Sequence, residues 1–357
     1  VKLKTKKAFK VHDPITHGGL NSLADPKIVD FSSNVTPLGA PKSVITVLKR
    51  KIDMISSYPD SNSHKLEQSI QKYTKLPSSN IIIGNGATEL IYNFCSAFLS
   101  QKTPVFMVSP TFGEYQSASN LNGCNVEHFK TMNLGNDIDD FIKKIPKNGC
   151  VFVCNPNNPT GELLPRNLIT KIISNSKKKS TLVFLDECFI EMTPGKTESI
   201  ISSIKKFDNL FVLRSLTKSF GLAGLRIGYG IGSKQMISIL KKIKIPWSVN
   251  TLAQEGAITA LHNLSHLQKS KSIIRKESIY LKKKISEIDG FKCYDTSTNF
   301  LLIHTRLNST TLQKKLLRKK ILIRDCKNFH GLDNHYIRVA VKTRKENNFL
   351  LKELRNL

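Results

Sequence analysis

Lys218 stands in the stretch Ser215-Leu216-Thr217-Lys218-Ser219-Phe220-Gly221-Leu222-Ala223-Gly224-Leu225-Arg226, just after the apolar run Phe211–Leu213. A lysine forms an imine only when it is neutral, and burial beside other cations lowers its pKa. Ser215 and Arg226 flank it and offer donors to phosphate oxygens. By itself the stretch also reads as a surface loop with an ordinary lysine. Asp186 ends the apolar run Leu182–Leu185. An aspartate at a strand end often caps a helix, and it also suits the protonated nitrogen of a heterocyclic cofactor. Asn155-Pro156-Asn157-Asn158-Pro159-Thr160-Gly161 follows the run Val151–Cys154. Its composition is that of a turn, and an asparagine amide there can donate to a cofactor oxygen. Gly84-Asn85-Gly86-Ala87-Thr88-Glu89 follows Ile81–Ile83. Small residues at that place let backbone N–H groups and a helix N-terminus approach a phosphate.

Positioning these groups requires a sheet whose strands end on one edge. Apolar runs recur at Ile81–Ile83, Val105–Val108, Val151–Cys154, Leu182–Leu185, Phe211–Leu213 and Ile227–Ile231. Helix-like stretches lie between them at Glu89–Leu99, Gly113–Leu121 and Leu168–Ser174. This alternation predicts an α/β fold with a mostly parallel central sheet covered on both faces. The pattern changes after about residue 250. A long helix is expected over Gln268–Ile288, then strands at Phe300–His304, Ile321–Arg324 and Tyr336–Val341, with helices at Thr311–Lys319 and Lys345–Leu354. The expected organisation is an N-terminal arm (1–45) packing on the small domain, a large domain (46–250) and a smaller α+β C-terminal domain (251–357).

The chain has 357 residues, 39% of them hydrophobic, which suits a folded protein of one large and one small domain. There is no apolar run long enough to span a membrane, and Val1–Lys10 is basic without the apolar run of a signal peptide. The seven cysteines are scattered with no CxxC pair, which favours free thiols in a reducing, cytoplasmic setting and no metal site. The net charge of +28 raises nucleic-acid binding or steering of anionic substrates. Its lysines, as in Lys177-Lys178-Lys179, Lys241-Lys242 and Lys282-Lys283-Lys284, are spread along helix-like segments. That diffuse footprint favours solvated helix faces over a nucleic-acid partner.

The order of phosphate turn, Asn-Pro turn, aspartate and lysine, each just after an apolar run, resembles the fold-type-I pyridoxal 5′-phosphate (PLP) enzymes of the class I/II aminotransferase family. The resemblance covers nearly the whole chain and rests on Asn155–Gly161 and Ser215–Arg226. It implies the PLP-dependent transferase fold, with Lys218 holding PLP as a Schiff base and Asp186 at the pyridine nitrogen. Asn158, or its neighbour Asn157, would meet the phenolic oxygen. Gly86, Ala87, Thr88, Ser215 and Arg226 would surround the cofactor phosphate, and Phe112 would stack on the ring. Tyr58 would reach the phosphate from the other subunit of a homodimer, and Arg338 would grip the substrate carboxylate. The family's tyrosine three residues after the aspartate is Phe189 here.

Two groups of this family act on phosphorylated substrates: histidinol-phosphate aminotransferases and the threonine-phosphate decarboxylases of cobalamin biosynthesis. Four local features resemble the second group: His17-Gly18-Gly19, Asp30 through Gly39 with Asn34, Trp247-Ser248-Val249-Asn250, and Ile323-Arg324-Asp325-Cys326 continuing to Arg338-Val339-Ala340. The implied reaction converts L-threonine O-3-phosphate to (R)-1-aminopropan-2-yl phosphate and CO₂. His17, Gly18, Asn34, Asn158, Arg324 and Arg338 would hold this small phosphorylated substrate. The alternative is transamination of histidinol phosphate with 2-oxoglutarate. A basic nucleic-acid-binding protein on the same scaffold is a third reading, disfavoured because the cofactor positions are nearly all filled.

Overall fold

The computed structural model describes Ile15, residues 25–193 and residues 198–357. The first strand among the described residues, β1 (Val29–Asp30), is short. The apolar runs then form β2 (Ile81–Gly84), β3 (Val105–Ser109), β4 (Val126–Lys130), β5 (Cys150–Cys154), β6 (Leu182–Asp186), β7 (Leu210–Ser215) and β8 (Gly228–Ile231). They make a seven-stranded sheet in the order β2-β8-β7-β6-β5-β3-β4, in which β8 alone runs against its neighbours. β2, β3, β5 and β7 are buried at every residue, as expected where helices cover both faces. β4 escaped the sequence reading because it is the edge strand. Its residues Val126-Glu127-His128-Phe129-Lys130 mix polar and apolar side chains and stay partly exposed.

One face of the sheet carries an aromatic cluster. Phe94 of the helix Gly86–Phe98 sits edge-on to Phe184, with ring centroids 4.9 Å apart, and Phe184 meets Phe211 at 5.2 Å. The other face buries Leu185, Val212, Tyr229, Ile172 and Ile173 in a mainly aliphatic cluster. The helix Thr251–His262, assigned from sequence to the C-terminal unit, places Ala253, Ala257, Ala260 and Leu261 in that same cluster with Val44, Leu66 and Ile70.

The remaining strands are β9 (Phe291–Cys293), β10 (Phe300–Thr305), β11 (Ile321–Leu322), β12 (Arg324–Asp325) and β13 (Tyr336–Ala340). Four of them form an antiparallel sheet, β12-β13-β10-β9. β1 pairs in parallel with β11, and Phe31 just beyond it joins the core made by Leu281, Ile285, Leu301, Ile303 and Leu350. The single strand expected over Ile321–Arg324 is therefore two. Ile321–Leu322 bonds to β1, whereas Arg324–Asp325 bonds to β13. Among the described residues no helix is long and apolar enough to cross a membrane.

Gly230 on β8 packs against the ring of Phe211, and a Cβ there would lie 2.2 Å from Cζ and 2.7 Å from Cε2. Gly230→Ala should cost about 1–3 kcal/mol of stability through overpacking, read from denaturant unfolding. A cost below about 0.5 kcal/mol, the level of an indifferent surface change, would contradict this account of the aromatic face.

Candidate active site

Five parallel strands, β2, β3, β5, β6 and β7, end on one edge of the large sheet. Ligands of open α/β sheets gather at such an edge. Gly86, Thr111, Asn158, Asp186 and Lys218 all follow or end these strands. A cavity of about 650 Å³ opens there, closed on the far side by residues of β12, β13 and the loop between them.

Lys218 sits in the helical turn Leu216–Ser219 that follows β7, and the Ser215 side chain caps this turn by accepting from the Thr217 N–H at 3.2 Å. The Lys218 backbone is pinned by Thr36 N–H, which donates to its carbonyl at 3.1 Å. Burial, helped by the positive charge of Arg338, lowers the Lys218 pKa to about 8. Asp186 is buried at the end of β6. It accepts from the hydroxyl of Tyr115 at 2.6 Å and from the Cys188 N–H at 2.8 Å. Burial raises its pKa, against the pull of these hydrogen bonds. Tyr115 was not visible as a site residue in the sequence. Its ring stacks between sheet and helix, 5.4 Å from Phe152, so it resembles any core aromatic until its hydroxyl partner is known.

The two neighbouring asparagines differ in their hydrogen bonds. Asn157 accepts from Thr111 Oγ1 at 2.7 Å and donates to Pro110 O and Thr160 Oγ1, each at 2.9 Å, so its amide serves the turn. Asn158 lines the cavity, and its amide oxygen accepts from Arg338. Arg338 also donates to Ser32 O at 2.8 Å, while its Nε is buried and has no partner among the described residues. Burial lowers the Arg338 pKa to about 10, which leaves it cationic at neutral pH. Arg324 faces Arg338 directly across the β12–β13 ladder and lines the same cavity, donating to Asn328 Oδ1 at 2.7 Å.

One end of the cavity is formed by the helix N-terminus at Gly86, the backbone around Ala87 and Thr88, and the side chains of Ser215, Thr217 and Arg226. Gly86 has φ +77°, which favours glycine, and a Cβ there would stand 2.7 Å from an Arg226 guanidinium nitrogen. A helix start with an arginine over it suits an anion such as a phosphate. Phe112 and Phe189 both line the cavity, and Phe189 packs edge-on against Phe300 at 5.2 Å. Asn34 is buried at the cavity wall with its Oδ1 unpartnered among the described residues. Tyr58 is not part of this cavity. It is 84% exposed and rests on Trp247, with ring centroids 5.1 Å apart. His17 and Gly18 lie outside the described residues.

Sequence reasoning also missed a histidine pair. His128 and His330 stack at 3.9 Å on the cavity wall, and Ser109 Oγ lies 2.7 Å and 3.1 Å from their Nδ1 atoms. Burial lowers both pKa values, that of His128 to about 4, so the pair is neutral at pH 7. Some two hundred residues separate the two rings in the chain, and neither carries a motif.

A partly buried lysine of lowered pKa, a buried carboxylate, a cavity-lining aromatic and a helix start suited to an anion fit PLP and define the class, a fold-type-I PLP-dependent enzyme. The chain belongs to the aminotransferase class I and II family, whose model matches residues 26–354. PLP is the cofactor of this family and of this chain. The threonine-phosphate decarboxylase of Salmonella typhimurium is 34% identical over 94% of this chain and 92% of its own length. The structure of a histidinol-phosphate aminotransferase from Clostridium acetobutylicum superposes with a TM-score of 0.85 at 32% identity, covering 92% of this chain and 98% of the other. The L-threonine-O-3-phosphate decarboxylase of Porphyromonas gingivalis superposes at 0.84 with 27% identity, over 92% and 99% of the two chains.

An amine adds to a carbonyl only when neutral, so with Lys218 assigned as the anchor, capture of PLP by the cofactor-free protein should speed up as the pH climbs through about 8. The growth of visible absorbance after mixing measures this. A rate that stays flat through that pH range would contradict the lowered pKa.

Proposed function

We propose that the chain decarboxylates L-threonine O-3-phosphate to 1-aminopropan-2-yl phosphate, as in cobalamin biosynthesis. The observation that carries the reading is the arginine pair. Arg324 and Arg338 are cross-strand neighbours with both side chains in one cavity. Two fixed cations suit a substrate with two anionic ends, a carboxylate and a phosphate. Histidinol phosphate itself has only the phosphate; the two carboxylates of 2-oxoglutarate would also meet this pair, and the product assay separates the two reactions.

Arg338 takes the carboxylate, with Asn158 orienting its guanidinium. Arg324 and Asn34 take the phosphate, and we assign His17 and Gly18 to the same end. When bound, PLP supplies an electron sink for the bond broken at the substrate α-carbon. Asp186 keeps a proton on the ring nitrogen, and the Tyr115 hydroxyl and Cys188 N–H hold that carboxylate in place. By fixing both ends of the substrate, Arg338 and Arg324 would set its orientation in the cavity, and the Lys218 amine would return a proton to the α-carbon once CO₂ is lost.

A second subunit completes this site in our reading. Tyr58 and Trp247 pack on each other and stay exposed, as do Ile52, Met54, Ile55 and Ile245, and exposed apolar side chains are the kind of surface that a protein partner covers. We assign this surface to a homodimer in which Tyr58 reaches the partner's cofactor phosphate.

The competing reading is transamination of histidinol phosphate, supported by relatives of comparable identity. A product assay on PLP-loaded protein separates them. Threonine phosphate should yield CO₂ and aminopropyl phosphate, and histidinol phosphate with 2-oxoglutarate should yield no glutamate. Glutamate without CO₂ would overturn the decarboxylase. In the same assay Arg324→Leu should raise KM for threonine phosphate roughly 30-fold or more, equivalent to losing about 2 kcal/mol of a buried charged contact. An unchanged KM would remove Arg324 from the phosphate site.

A further inference from the structure

Behind the cavity, on the opposite face of the large sheet, lies a buried ion network that no step above uses. Side chains alternate across a strand, so neighbours of the cofactor-facing residues point the other way. Asp186 lies opposite Leu213 in the β6–β7 ladder, and Ser215, two residues on, shares their face. Glu187 and Arg214 therefore point to the far side. There Arg214 Nε donates to Glu187 Oε2 at 2.9 Å, one terminal nitrogen donates to Glu191 Oε1 at 2.6 Å, and the other donates to Ser199 Oγ at 2.7 Å. Ser199 Oγ donates in turn to Glu187 Oε2 at 2.8 Å, and the Ile200 N–H donates to Glu187 Oε1 at 2.9 Å. Ser219 Oγ stands 3.5 Å from Glu191 Oε2. Side-chain exposure is 4% for Arg214, 1% for Glu187 and 5% for Glu191.

The members of this network sit one residue from each chemical group of the site. Glu187 follows Asp186, Arg214 precedes Ser215, and Ser219 follows Lys218. The guanidinium thus ties the strand end that carries the carboxylate to the strand end that leads to Ser215, and through Glu191 the network reaches Ser219 in the turn that carries the lysine. A buried ion network is a costly way to gain stability, since packed apolar side chains of the same volume do as well. What it gives is a fixed relative position. The titratable groups facing it are Tyr73, from the helix His64–Thr74, and Tyr229, opposite Arg214 on β8; burial raises both pKa values, and neither is charged at neutral pH. Burial also raises the pKa of Glu191, against the pull of Arg214.

We propose that Arg214, Glu187 and Glu191 are positioning residues that hold Asp186 and Lys218 in register on the two sides of the cofactor ring. The inference rests on the assignment of Lys218 and Asp186 as the cofactor's anchors. Loosening the network moves one anchor relative to the other and so changes the proton affinity of the lysine–cofactor link, even though no network atom touches the cofactor.

The test compares PLP-loaded wild type with Arg214→Lys, Glu191→Gln and Ser199→Ala. Arg214→Lys keeps the charge but cannot reach three partners, Glu191→Gln keeps the shape, and Ser199→Ala removes one hydroxyl. The readouts are the pH midpoint of the visible band, kcat and KM on whichever substrate the wild type turns over, and thermal unfolding of the PLP-free proteins. The expected result is a midpoint displaced by roughly half a pH unit or more, with kcat down about tenfold and KM little changed, in Arg214→Lys and Glu191→Gln. A smaller displacement in the same direction is expected of Ser199→Ala, which carries the test if the other two do not fold. Variants that lose thermal stability but keep the wild-type midpoint and kcat would overturn the proposal and leave the network a structural one. Failure of the underlying assignment looks different: the wild type itself would show no visible band with PLP.

Discussion

Ionisable groups taken out of water must be neutralised by one another or by what binds between them, and the cavity at the sheet edge contains several such groups. Burial raises the pKa of Asp186 and lowers those of Lys218, Arg324 and Arg338. Each shift records the cost of holding a charge out of water. In the proposed reading, a cofactor with a basic ring nitrogen, a carbonyl and a phosphate would meet Asp186, Lys218 and Arg226 in turn, and a substrate with a carboxylate and a phosphate would meet the two remaining arginines. The parallel strands make this possible, because they bring residues from 86 to 218 to one edge, and β12 and β13 close the cavity over it.

Much of this was legible in the sequence because each element of the large sheet announces itself. The runs before Gly86, Asn155, Asp186 and Lys218 became β2, β5, β6 and β7 with ends shifted by a residue or two. The groups that stayed hidden depend on contacts between distant parts of the chain. Tyr115 is a core aromatic until its hydroxyl is seen on Asp186. His128 and His330 meet only because the loop after β12 folds onto β3, where Ser109 lies between them. Asn157 and Asn158 are indistinguishable in sequence, and only the turn's hydrogen bonds separate the one that holds the loop from the one that faces Arg338. Strand β4 was invisible because an edge strand keeps polar residues, and the split at Ile323 because a two-residue strand has no periodicity.

Part of the positive charge sits where helices end. Lys177 and Lys178, Lys241 and Lys242, and Lys283 and Lys284 fall in the last turns of their helices, where cations offset the negative end of the helix dipole. Lys179, just past one of these helices, donates from Nζ to the carbonyls of Ile142, Lys143 and Ile145 at the end of another. These lysines serve the surface ends of helices, whereas Arg324 and Arg338 line the cavity.

The central claim is that Lys218, among the many lysines of this chain, carries the cofactor. Borohydride reduction of the PLP-loaded protein fixes an imine permanently, and peptide mapping then locates it. The account predicts one labelled peptide, with the label on Lys218. A label on another lysine whose pKa is lowered by burial, such as Lys244, or no stable label at all, would contradict it.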